Sequence, residues 1–183
     1  ELNADVVRNA LRSDHPEVVR HAVRLVEPLM DDTPELILAV IGHVAHPSVR
    51  VRRQVAWSLG ACRSSQAAAA LAGLLDSDRA NIYIRAAVLS SITAENASAT
   101  LVAFGQRPGS QKQPRDLRDL ISVAIRTGDA SSIPAMMESV ASMTDDSETD
   151  PLALDATITL LVAALDTADA RSPSELTFGA DFS

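Results

Sequence analysis

The chain is short of aromatics, glycine, lysine and cysteine, and each shortage excludes something. Only 3% of its 183 residues are aromatic and seven are glycine. Strands favour aromatic and β-branched residues and need Gly-rich turns, so sandwiches and barrels are poor fits and an all-α fold is expected. A single thiol, Cys62, rules out an intrachain disulfide and any cysteine-rich zinc site, while leaving the compartment open. No run approaches the roughly 18 consecutive apolar residues that cross a bilayer, and no basic and apolar leader opens the sequence. No membrane insertion is therefore expected. Gly-x-Ser-x-Gly, Gly-x-Gly-x-x-Gly, P-loop and His-Glu-x-x-His patterns are all missing, which points away from an enzyme.

The net charge of −8 is unevenly spread. Residues 1–85 hold ten basic and ten acidic side chains, and residues 86–183 hold six and fourteen. An acidic half repels phosphate backbones, so no nucleic-acid partner is expected. Fifteen of the sixteen basic residues are arginine, whose planar fork suits paired contacts with carboxylates; genomic GC bias would produce the same preference.

What the chain does contain is a repeat. Val19-Arg20, Val51-Arg52 and Ile84-Arg85 recur at spacings of 32 and 33, each followed three residues after the arginine by a valine, Val23, Val55 or Val88. A period of that length means stacked supersecondary units, each covering a face its neighbour cannot cover alone. Val19, Ala22, Val23 and Val26 recur at helical spacing, as do Ile84, Ala87 and Val88, and Val51, Val55 and Leu59 keep the same stripe. These form the second helices of their units, with His15-Pro16 and His46-Pro47 expected at helix starts and Gly60 as a terminator. First helices are expected near 3–13, 34–45 and 65–76. A fourth unit carries Ala97, Leu101 and Phe104, then Leu117, Leu120, Ile121 and Ala124, separated by a loop near 105–114. A fifth carries Ile133, Met136, Met137 and Val140, then Leu154, Ile158, Leu161 and Leu165. The repeat domain is thus expected over residues 1–168, with an irregular tail over 169–183.

Helix pairs of about 32 residues, whose second helix opens in Val-Arg six residues after an aspartate, resemble HEAT repeats; Asp14 with Val19-Arg20 matches in register. Later copies depart, because His46 stands where the aspartate would precede Arg52, and Asp78 is displaced by one before Arg85. The resemblance covers roughly residues 3–166. It implies a right-handed α-solenoid of about five pairs whose second helices line the concave wall. More narrowly, the runs HPEVVRHAVRLVEP, VRRQVAWSLG and IRAAVLSSI are similar to the helical segment of large bacterial membrane-bound dehydrogenases. That resemblance implies a propeller before the segment, a cytochrome c domain after it, an exported or periplasmic location, and a chain that is a piece of a longer protein. Cys62 is followed by Arg63 and Ser64, so it cannot form a Cys-x-x-Cys-His haem attachment and no cofactor is expected on this chain.

Chemistry-bearing residues have ordinary architectural accounts. Cys62 could be a nucleophile beside His43 or His46, but a small thiol at a helix end usually fills space. His43 and His46, three apart, lack further ligands for a metal, and His46 and His15 precede prolines at helix starts. Asp145–Asp150 resembles a calcium loop without its glycine or closing glutamate, and helix capping explains it as well. The remaining candidates for partner binding are His21, Arg24, Arg53 and Trp57, on the side of the second helices that the core does not use. Arg53 and Trp57, at i and i+4, are suited to stack on each other or to hold a ligand jointly, or else Trp57 packs between repeats and Arg53 solvates the face. The expected function is a non-catalytic scaffold for protein interaction, with a segment of a haem-linked oxidoreductase as the alternative.

Overall fold

The computed structural model describes residues 3–30, 32–107 and 114–127, with helical positions at 137, 158, 159 and 162. Among the described residues up to 127, eight α-helices follow in order: α1 (Ala4–Leu11), α2 (Pro16–Val26), α3 (Pro34–Ile41), α4 (Val49–Gly60), α5 (Ser65–Ser77), α6 (Ile82–Ser90), α7 (Ala97–Gly105) and α8 (Pro114–Thr127). A 3₁₀ turn over Glu27–Leu29 follows α2, and no strand occurs among the described residues. Most of the fifth pair, most of the loop near 105–114, the Asp145–Asp150 run and the 169–183 tail lie outside the described residues; Met137 and Ile158, expected on the apolar stripes of that pair, are exposed.

The helices form four pairs in two layers. In one layer α1 packs on α3, α3 on α5 and α5 on α7; in the other α2 packs on α4, α4 on α6 and α6 on α8. This is an all-α solenoid. Val19, Val23, Val51, Val55, Ile84 and Val88 are all buried between the pairs, as are Leu101, Phe104, Leu117, Leu120 and Ile121 of the fourth. Removing a valine or leucine side chain from water is worth about 1.5–3 kcal/mol, and each stripe is covered only when the next pair is in place.

Local signals set the helix ends. Asn3 Oδ1 accepts from Asp5 N–H at 2.8 Å, Ser64 Oγ from Gln66 N–H, and Asn81 Oδ1 from both Tyr83 and Ile84, so each satisfies donors that a first turn leaves open. Pro16 and Pro34 occupy first-turn positions, where a missing N–H costs nothing. Pro47 departs from expectation: it precedes the helix, Ser48 takes the cap position, and His46 Nδ1 accepts from Ser48 N–H at 3.0 Å. The α3 helix also stops at Ile41, short of residue 45, and hydrogen-bonded turns fill the gap.

Gly60 ends α4, as expected, and it also lies at a close approach to Ser91, the cap residue of α6. A Cβ there would lie 2.5 Å from the Ser91 Cβ and 2.8 Å from its carbonyl oxygen. Asn96 fastens this contact, its side-chain amide donating to the carbonyls of Gly60 (3.2 Å) and Ser91 (2.9 Å) while its Oδ1 accepts from Thr93 N–H. Glycine is required here by space. Gly73, inside α5, meets only Arg107 Nη1 at 3.6 Å. In urea unfolding, Gly60→Ala should lose about 1–3 kcal/mol because α4 and α6 must separate. Gly73→Ala should gain about 0.5–1 kcal/mol from the helix interior alone.

Candidate functional site

Which side chains are free to act depends on which ones the stacking already uses. Arg52 is fully engaged: its Nε and Nη2 donate to the two oxygens of Asp78 at 2.7 and 2.8 Å, and its Nη1 donates to the His46 and Pro47 carbonyls. Asp78 therefore serves the arginine of the preceding pair, not Arg85 of its own. Arg85 reaches forward in turn, to Asp116 and Asp119 of α8. Burial opposes its charge, yet the hydrogen bonds and charges of Asp116 and Asp119 outweigh that and raise its pKa above the ordinary arginine value. Asp76, also buried, takes Arg79 of its own pair and Arg107 of the next. Ser58 Oγ donates to Glu27 Oε1 at 2.6 Å, and Arg63 pairs with Glu95. Apart from Arg79 on Asp76, these contacts span about one repeat, so they bolt each pair to its neighbour.

The first pair departs from this plan. Arg20 turns to Glu17 at 2.8 Å within its own helix, and its Nη2 donates to His21 Nε2. Asp14 is exposed, and it does not pair with Arg20 despite its register. Glu17 also meets Arg50 of α4 at 3.4 Å. The Arg20 hydrogen bond leads the causes that lower its pKa, set against desolvation, with Arg50 adding to the lowering.

Among the described residues, Arg24 and Arg53 are the second-helix arginines of the first three pairs without a carboxylate partner. Arg53 lies over the Trp57 ring, 5.0 Å from guanidinium carbon to centroid, with its Nε buried and making no hydrogen bond. Trp57 is 45% exposed, so it does not pack between repeats. The i, i+4 spacing brings Arg53 and Trp57 together as expected of one helix face. Repeat register places His21 level with Arg53, and Leu25 level with Trp57, on the packed helices α2 and α4.

The same register exposes what residue-by-residue inspection missed. Val18, Arg50 and Tyr83 share one row, and Leu25 extends the apolar surface beside Trp57; Leu25 is 50% and Tyr83 62% exposed. Adding the period to exposed positions, not only to core ones, would have found them. This face is cationic and apolar, with Glu17 its lone carboxylate on α2 and α4 and already paired.

The opposite layer has grooves where consecutive first helices meet. One, about 680 Å³ between α3 and α5, is apolar, with Leu38, Ile41 and Val44 facing Ala69 and Ala70. Another holds His43 between α1 and α3. The His43 ring bonds the Leu11 carbonyl and lies 5.8 Å from the His46 ring. Cys62 is buried in the hydrophobic core. Among the described residues no three His, Cys, Asp or Glu side chains are grouped to hold a metal ion, and no helix is long and apolar enough to cross a membrane.

Burial, then the nearby His46, lower the His43 pKa below 6.5, against the Leu11 carbonyl. The folded chain thus holds fewer protons on this ring than the unfolded one. The contribution to stability is present above pH 6.5 and is lost as pH falls through the folded value. Melting temperature should accordingly drop between pH 7.5 and 5.5, and less steeply in His43→Gln, whose amide can still donate to Leu11.

No curated protein and no solved structure matches the chain. Residues 4–92, the span of α1 to α6 and hence the first three helix pairs, match the family of HEAT repeats.

Proposed function

We propose that this chain is a non-catalytic protein-interaction scaffold and that the second-helix face around Arg53 and Trp57, with His21 and Arg24 beside it, receives the partner. One observation carries the reading: among the described residues, a half-exposed tryptophan lies under a guanidinium that has no carboxylate, whereas most of the other arginines are paired. Stacking does not need either group. Tryptophan and arginine together are the residues most often found where binding energy concentrates. HEAT repeats typically serve as interaction scaffolds, and a solenoid wall presents many side chains to one ligand. The second reading, a segment shaping the interface of a haem-linked oxidoreductase, rests on the sequence runs around Arg20, Arg52 and Arg85. A downstream Cys-x-x-Cys-His in the parent gene would support it.

Pull-down from the native source tests the proposal. Trp57→Ala should weaken partner capture by at least about 2 kcal/mol while changing unfolding stability by less than about 1 kcal/mol, since the ring is half in water. Capture unchanged by both Trp57→Ala and Arg53→Glu would remove this face from consideration.

A further inference from the structure

The face has a chemistry as well as a location. Arg53 is half-buried, and among the described residues its guanidinium meets the face of the Trp57 ring and no carboxylate. A guanidinium taken partly out of water without a carboxylate is costly, and its fork is shaped to bind one. Arg24 is exposed and likewise without a carboxylate among the described residues, while Arg50 is 74% exposed and held only loosely by Glu17 at 3.4 Å. Between and beside these cations stand Leu25, Trp57 and Tyr83, exposed apolar and aromatic surface on three consecutive second helices.

We infer that the partner element held on this face is an acidic segment with interspersed apolar side chains, one of whose carboxylates pairs with Arg53 while an apolar side chain rests on Leu25 and Trp57. The inference rests on the scaffold reading above and adds the chemistry of the occupant. A nucleic acid would also meet arginine and aromatic rings. Three arginines, one lysine in the whole chain and a net charge of −8 disfavour a continuous phosphate backbone, which gains affinity by neutralising many phosphates at once. A short acidic segment needs only the two or three cations present.

Trp57 is the chain's sole tryptophan, so its emission reports this face directly. The full chain should be titrated with a twelve-residue peptide of alternating Glu-Leu pairs, with the same peptide carrying Gln for Glu, and with a twelve-nucleotide oligouridylate. The expected result is a saturable change in Trp57 emission with the Glu peptide and at least tenfold weaker binding of the Gln peptide. Arg53→Gln and, separately, Arg24→Gln should each weaken the Glu peptide at least threefold with an unchanged melting curve, and Arg63→Gln, which removes an exposed arginine already paired with Glu95, should not weaken it. Equal binding of the Glu and Gln peptides, no emission change with either, or tighter binding of the oligouridylate would overturn the inference. A partner captured through Trp57 but indifferent to these charge changes would keep the scaffold reading and discard only the acidic occupant.

Discussion

A pair of short helices has an apolar stripe on each member and no core of its own, and everything else in this molecule follows from how the next pair covers it. Val19, Val23, Val51, Val55, Ile84 and Val88 are buried because α2, α4 and α6 lie side by side, and Leu71, Leu74 and Leu101 because α5 meets α7 in the other layer. Helices of 8 to 14 residues are marginal in isolation. Their stability therefore comes from tertiary packing, and it passes from neighbour to neighbour along the array.

Hydrophobic stripes alone would let the pairs slide, since one valine row packs on another at several offsets. Polar contacts define the register. The Arg52 fork on Asp78, Ser58 on Glu27, Asn96 on the Gly60 and Ser91 carbonyls, and Arg85 on Asp116 each join one pair to the next. A shift by one residue would strand a buried carboxylate or amide, at a cost larger than any single valine contact. At Gly60 the absence of a side chain does the same work sterically, because Ser91, the cap residue of α6, sits where a Cβ would be. Arginine in this protein is accordingly a structural residue first, and the few guanidiniums not so used, Arg53 above all, stand out.

Layers and core are legible in the sequence because the Val-Arg openings repeat at 32 and 33 and helical periodicity within each unit assigns the buried side. The Arg53–Trp57 pairing is also legible, since i, i+4 neighbours on a helix must meet. The polar bolts are not. Arg52 finds Asp78 26 residues on, and Arg85 finds Asp116 31 residues on, distances at which local pattern carries no preference among several nearby acids. The register of Asp14 with Arg20 suggests a bond within one pair, whereas the geometry directs Arg52 and Arg85 forward to the following pair. Gly60 reads as a terminator because glycine commonly follows a helix; only the position of α6 reveals the close approach. Tyr83 and Leu25 are ordinary residues until the repeat register aligns them with Arg50 and Trp57.

Neighbouring pairs are coupled through buried charge, and the Arg85–Asp116 contact tests this most directly because both side chains are almost fully buried. A double-mutant cycle in urea, with Arg85→Met, Asp116→Leu and the two combined, isolates the term. Arg85→Met alone should cost roughly 3–5 kcal/mol by leaving the Asp116 carboxylate buried and uncompensated. The double variant should recover much of that, giving a coupling of at least about 1 kcal/mol. Strictly additive losses would mean that the pairs are held by their apolar stripes alone, and would contradict the claim that buried charge sets the register of the solenoid.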